Sequence, residues 1–328
     1  MKELAQPVSF VMGTPMKRFS QLFAAAALAA GAAFGAQAAA PLLTPAELND
    51  LRTSPTVRIV DIRPAADYSA NHIPGAVSAP YAQWRGPADN PGQLPPTDKL
   101  ADLVRGLGID KGVHTVVVST GADQTDFGAA ARVYWTLKYL GLSELSILNG
   151  GAKAWADAGL PQDQAVPSVA ATRFQPVLDK SLIATQEHVL AQIDNPRVQL
   201  VDARPSNFFR GEVKAPTAKV PGTIRSALNL EHSKWFKPGT AIFVSPEEAK
   251  AIAAQTLPDP ADETISFCNT GHWAATDWFA LSEVVGQKNV TLYPASLAEW
   301  TQAPQSLPMD NVPSRGQQIL KSLKDLVS

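Results

Sequence analysis

The strongest constraint on this chain is that it repeats itself. "VRIVDIRP" at 57–64 returns as "VQLVDARP" at 198–205. Three further matches follow in the same order: "HIPGAV" at 72–77 with "KVPGTI" at 219–224, "TVVVST" at 115–120 with "TISFCN" at 264–269, and Gly141–Trp155 with Gly286–Trp300. The spacing between the copies drifts by a few residues, as the loops of duplicated domains do. Within each copy, short β-branched runs alternate with longer helical patterns. That alternation predicts an α/β fold built twice, each unit a central, mainly parallel sheet flanked by helices.

The predicted boundaries are a first domain over 41–162, a Pro-containing, weakly patterned linker over 163–179, and a second domain over 180–304. A tail over 305–328 includes "GQQILKSLKDLVS", which places Ile319, Leu320, Leu323 and Val327 on one side of an amphipathic helix expected to dock on the body. A chain of 328 residues with 45% hydrophobic residues can fill two such cores. Its formal net charge of -2, with Lys and Arg scattered rather than blocked, excludes a nucleic-acid footprint.

Residues 1–40 read as a secretory signal region. "MKRF" supplies a basic start, with Met16 the better initiator, "LFAAAALAAGAAFG" is apolar but short for a span, and Ala36 and Ala38 fit a small-residue cleavage site. The mature protein is therefore expected in the periplasm or secreted, with no membrane association after cleavage. In an oxidising compartment a structural cysteine normally has a partner, yet Cys268 is the single cysteine of the sequence. It is either an inert buried side chain or a reactive thiol.

Cys268 ends the apolar run "ETISF", and a helical pattern opens at Ala274, leaving the loop "CNTGHW" between them. Such a loop can curl so that backbone N–H groups point inward at a helix start. An anion is stabilised there without a charged neighbour, and the thiolate is the nucleophilic form of cysteine. Gly271 gives the curl its backbone freedom. His272 is read as a donor or proton carrier or as a plain loop histidine, and Trp273 as an apolar wall. Asp61 with Arg63, and Asp202 with Arg204, are expected to cap turns and pair within their own domains. The helical runs 130–142 and 274–286, with Trp278, Leu281 and Val285, are expected to be core packing.

The paired "VD-x-R-P" and "[IV]-P-G" elements, the "LNGGAKAW" of the first copy and a cysteine loop in the second copy only resemble the tandem-domain rhodanese (thiosulfate/mercaptopyruvate sulfurtransferase) family over residues 42–304. The resemblance implies two rhodanese-like domains with the site at their interface. It implies a sulfurtransferase in which Cys268 takes the outer sulfur of thiosulfate or a related anionic donor. The persulfide would be held by the loop of Asn269, Thr270, Gly271, His272 and Trp273, then passed to a thiol, a protein thiol or cyanide. No metal or organic cofactor is implied. Ser119 stands where Cys268 stands in the second copy, consistent with a first domain that is structural.

The departures concern the donor. Thiosulfate-using members commonly carry cations just after the cysteine, where Asn269 and Thr270 are neutral, and the Gly-x-Gly-Val-Thr continuation of mercaptopyruvate-using members is missing. In "RPSNFFRGE", Phe208 takes the seat where the family often has an arginine, leaving Arg210 as the candidate to meet the substrate. "LYPASLAEW" keeps the Trp of the first copy but not its paired glycines. A phosphatase is excluded because the position six residues after the cysteine, where phosphate needs an arginine, is Ala274. The alternatives are a persulfide carrier or partner-binding module without turnover, and a Cys-His hydrolase drawing on His188, His232 or His272.

Overall fold

Each copy of the repeated "VD-x-R-P" sequence builds an inner strand of its own parallel sheet. The computed structural model describes residues 39–257, 261–314 and 316. Residues 1–38, where the signal region is expected, and the tail positions Ile319, Leu320, Leu323 and Val327 lie outside them.

The first half runs β1 (Leu42–Leu43), α1 (Pro45–Leu51), β2 (Val57–Asp61), α2 (Ala65–Ala70), β3 (Val77–Ser78), α3 (Thr97–Gly106), β4 (His114–Val118), α4 (Gln124–Tyr139), β5 (Leu145–Leu148) and α5 (Gly151–Asp157). The second runs α6 (Gln186–Gln192), β6 (Val198–Asp202), α7 (Ser206–Phe209), β7 (Thr223–Ile224), β8 (Leu228–Asn229), α8 (Pro246–Thr256), β9 (Glu263–Phe267), α9 (Trp273–Phe279), β10 (Val290–Leu292), α10 (Ser296–Trp300) and β11 (Met309–Asp310). Thr44-Pro45 with Glu47 and Ser245-Pro246 with Glu248 open α1 and α8 with the same capping box.

The sheets have orders β1-β5-β4-β2-β3 and β10-β9-β6-β8, all parallel. The repeat is thus a repeat of topology, and the isolated parallel bridge Ile183–Leu292 takes the place of β1 in the second copy. Consecutive residues of β2, Ile59 and Val60, are both buried, because helices cover both faces of the sheet. β7 and β11 form a small antiparallel pair.

The halves meet through α4 and α9. Every residue of α4 from Phe127 to Leu137 is buried, as a helix sandwiched between its own sheet and a neighbouring domain must be. Phe127 reaches the second domain's Phe236, Phe243 and Phe279 at centroid distances of 5.2, 5.3 and 5.6 Å. Tyr134 meets Phe279 edge-on at 5.1 Å and donates to Glu283. One apolar cluster therefore runs from Val60 in the first sheet to Val201 and Leu292 in the second. The core reading of both helical runs holds for these residues. Among the described residues no helix is long and apolar enough to cross a membrane.

Candidate active site

β6 and β9 pair in register with Asp202 beside Phe267, so Cys268 is the first residue beyond the carboxyl end of the sheet. Its side chain is 1% exposed. Three bonds fix the strand exit: Ser296 Oγ accepts from Cys268 N–H at 3.1 Å, and the Cys268 and Asn269 carbonyls accept from Leu297 N–H at 3.2 Å and Ala298 N–H at 2.9 Å. The first domain makes the same clasp, with Ala152 and Lys153 donating to the Ser119 and Thr120 carbonyls. One of the two lost glycines is thereby explained, while the other, Gly150, is replaced by Ala295 in an α-helical conformation. Ser296 keeps the positive φ of Gly151, at 54° against 60°, and uses its hydroxyl to anchor the cysteine.

From Asn269 the chain curls into α9. None of the described residues accepts a bond from the N–H groups of Asn269 to Trp273. The equivalent turn in the first domain is closed on itself: Asp126 Oδ2 accepts from Gly121 N–H, and Asp123 Oδ1 from Asp126 N–H. A carboxylate already occupies that turn, which bars a second anion from it.

Gly271, at φ 67°, lies against the first domain. A methyl group there would collide with Arg132 Nη1 and the Pro294 carbonyl. Gly128 of α4 in turn lets His272 approach, since a Cβ at 128 would stand 2.8 Å from the imidazole. His272 is locked rather than free. Its Nε2 lies 2.6 Å from the Thr125 carbonyl, which needs a proton there, and its Nδ1 accepts from Tyr81 Oη at 3.0 Å. Burial, and then the charge of Arg85, hold its pKa down at about 4. The imidazole is neutral near pH 7, with both nitrogens committed to holding the domains together.

That shift has a testable sign. Between pH 6.5 and 4 the unfolded histidine binds a proton the folded one refuses, so its contribution is present above about pH 6.5 and lost as pH falls. His272→Gln should flatten the dependence of the urea midpoint on pH in that window relative to wild type. Parallel curves for the two proteins would refute the assignment.

Two first-domain arginines complete the arrangement. Arg85 donates to Tyr81 Oη at 2.7 Å and to the Thr270 carbonyl at 3.0 Å. Arg132, 0% exposed, donates to the Gly271 carbonyl at 3.3 Å and the Gly92 carbonyl at 2.7 Å. Its Nε has no partner among the described residues. Among the described residues no carboxylate pairs with either guanidinium. Burial, followed by the like charge of Arg85, lowers the Arg132 pKa to about 9, which still leaves a cation at neutral pH. Asp277 is no counter-ion: burial pushes its pKa well up, and the carboxyl is bonded to Trp235 Nε1 at 2.8 Å.

The sequence-predicted residues fall as follows. Cys268 to Trp273 form one continuous loop. Arg210 goes elsewhere: its side chain is 54% exposed and pairs with Glu212 at 2.8 Å on the surface. The short turn of α7 gives the guanidinium a neighbouring carboxylate two residues on, so in this structure it faces Glu212 and makes no hydrogen bond to the Cys268 loop. Phe208 instead packs edge-on to Trp273 at 6.0 Å, while His232 stacks on Trp273 at 4.7 Å.

Asp61–Arg63 and Asp202–Arg204 are buried intradomain pairs at 2.7 and 2.6 Å, as expected, with Arg204 also reaching Asn269 Oδ1 at 3.4 Å. A Cys-His pair is not assembled. His188 binds Glu263 at the far end of β9, His232 Nδ1 faces the Ala203 carbonyl, and His272 is engaged as above. Among the described residues no three His, Cys, Asp or Glu side chains converge as a metal set.

Arg85 and Arg132 were missed by the sequence reading. Arg132 carried a signal: it is a cation inside an apolar helical run, with Gly128, Ala129, Trp135 and Thr136 at the positions where an acidic partner would sit.

Comparison with known proteins agrees with this architecture. The family model described as a Rhodanese-like domain matches residues 44–158 and again 185–303. A 3-mercaptopyruvate sulfurtransferase of Mus musculus is 28% identical over 240 residues, covering 71% of this chain and 78% of its own. A thiosulfate sulfurtransferase of Bos taurus is 30% identical over 239 residues, with the same coverage of 71% and 78%. The crystal structure of the Escherichia coli 3-mercaptopyruvate sulfotransferase SseA superposes with a TM-score of 0.69 at 24% identity, over 79% of this chain and 100% of that one.

Proposed function

The chain belongs to the rhodanese-like domain family, which it carries in two copies, and from that premise we propose that it is a sulfurtransferase working through a persulfide on Cys268. The observation that carries the proposal is the lone thiol just past the end of β9, at the head of a loop whose N–H groups have no acceptor among the described residues.

In the first half-reaction the Cys268 thiolate attacks the outer sulfur of thiosulfate. The S–S bond of the donor breaks, and sulfite leaves with the bonding pair. The new persulfide ends in an anionic, polarisable sulfur, the species that fixed N–H donors stabilise. In the second half-reaction a thiolate or cyanide attacks that terminal sulfur, and Cys268 returns to the thiolate. No charge change is asked of His272, in keeping with its locked neutral form. Its two bonds, to Tyr81 and Thr125, fix the loop instead. Trp273 is held by a stacked His232 and an edge-on Phe208 and serves as an apolar wall of the loop.

The donor is the finer question, since relatives act on mercaptopyruvate or thiosulfate by name. Incubation with thiosulfate or mercaptopyruvate, followed by intact mass and by thiocyanate release with cyanide, separates them. Wild type is expected to gain one sulfur and turn over, and Cys268→Ser to do neither. A wild type that gains no mass with either donor would sink the proposal. Mass gain without turnover would make the protein a persulfide carrier.

A further inference from the structure

The Cys268 loop carries no cation of its own, yet two arginines arrive at it from the other domain. Both reach the loop through its carbonyls. A peptide unit is planar and trans, so its C=O and N–H point in opposite directions. Arg85 draws the Thr270 oxygen toward the first domain and thereby turns the Gly271 N–H away from it. Arg132 does the same to the Gly271 oxygen and turns the His272 N–H. The two consecutive N–H donors are thus held pointing opposite to the carbonyls that the guanidinium groups bind.

The charge itself is unspent. Arg132 is fully buried with an Nε that has no partner among the described residues, and no described carboxylate neutralises either arginine. Trp273 Nε1 is a further buried donor without a partner. An isolated buried cation is costly unless an anion completes it. The acceptors these arginines reach are neutral, Tyr81 Oη and the Thr270, Gly271 and Gly92 carbonyls. Among the described residues the cluster therefore lacks an anion, and the negative group that fits it is a small anion at the thiol. Arg210, given to Glu212, does not serve.

We propose that the first domain carries the anion-recognition half of the site, with Arg132 and Arg85 orienting the Cys268 loop and supplying the positive charge that selects a compact dianionic sulfur donor. The proposal rests on the persulfide chemistry above. It makes the first domain a working part of the site and not only a wall.

The test compares two probes on the whole protein. Thiosulfate reads the donor's charge. Iodoacetamide, a neutral electrophile, reads the thiol alone. Arg132→Gln is expected to lower the rate of persulfide formation from thiosulfate by about 10²-fold and Arg85→Gln by about tenfold, with much smaller changes in alkylation. Arg132→Lys should recover part of the loss, and Arg210→Gln should stay within twofold of wild type.

Equal losses with both probes, or no loss with either, would overturn the inference and leave the proposed function standing. Failure of wild type to take sulfur from any donor would instead strike the proposed function. If Arg132→Gln does not fold, the half-buried Arg85 gives the same ratio, and an unchanged ratio there overturns the inference.

Discussion

Gly271→Ala is expected to lower sulfur uptake from thiosulfate by about 10²–10³-fold, the scale of losing a fixed anion donor. Backbone strain and collision both act there. The residue sits at φ 67°, a region that costs a non-glycine residue about 1–3 kcal/mol. Its Cβ would also be driven into Arg132 Nη1 and the Pro294 carbonyl. The guanidinium can swing away, but the Pro294 carbonyl is backbone and the loop itself must shift to clear it. Either movement breaks the Arg132 contact to the Gly271 carbonyl and lets the neighbouring N–H groups turn. Gly286→Ala is the control, because Gly286 has φ 82° with open space where a Cβ would go. Both variants should lose comparable backbone stability in urea, and only Gly271→Ala should lose uptake. Uptake within threefold of wild type in Gly271→Ala would show that the curl is dispensable.

What the sequence disclosed follows from how local each signal is. The duplicated strands, the helical runs and the buried Asp–Arg pairs are written in contiguous residues, because period and turn chemistry act over a few positions. Cys268 was legible because the second copy differs from the first at one strand end. The positive charge of the site was not. Asn269 and Thr270 are neutral, and the cations that replace a loop charge lie well over a hundred residues earlier, on α4 and beside a short turn after β3. Folding alone brings them to Thr270 and Gly271. Phe208 misled for the same reason: its seat suggested that a nearby arginine would substitute, whereas Glu212, two residues beyond Arg210, captured it. Ser296 shows the converse, since a lost glycine kept its backbone conformation and gained a hydroxyl that holds Cys268.

Phe127→Ala is expected to cost about 3–5 kcal/mol, the range for deleting a buried aromatic, and to move the unfolding of both domains together. Phe127 is 2% exposed and belongs to α4, yet three of its aromatic neighbours, Phe236, Phe243 and Phe279, belong to the second domain. The cluster it anchors is continuous across both sheets, and although each half keeps a smaller cluster of its own, opening one half exposes the shared core of the other. A single urea transition shifted as a unit is the expected result. Two transitions, with that of the second domain unmoved, would show that the halves are stabilised separately. The same helix carries Gly128 against His272 and Arg132 against Gly271. A cavity at 127 loosens the segment that positions the loop, and sulfur uptake by the folded fraction should fall with it. Stability and sulfur uptake are expected to move together because one buried helix of the first domain serves both the shared core and the Cys268 loop.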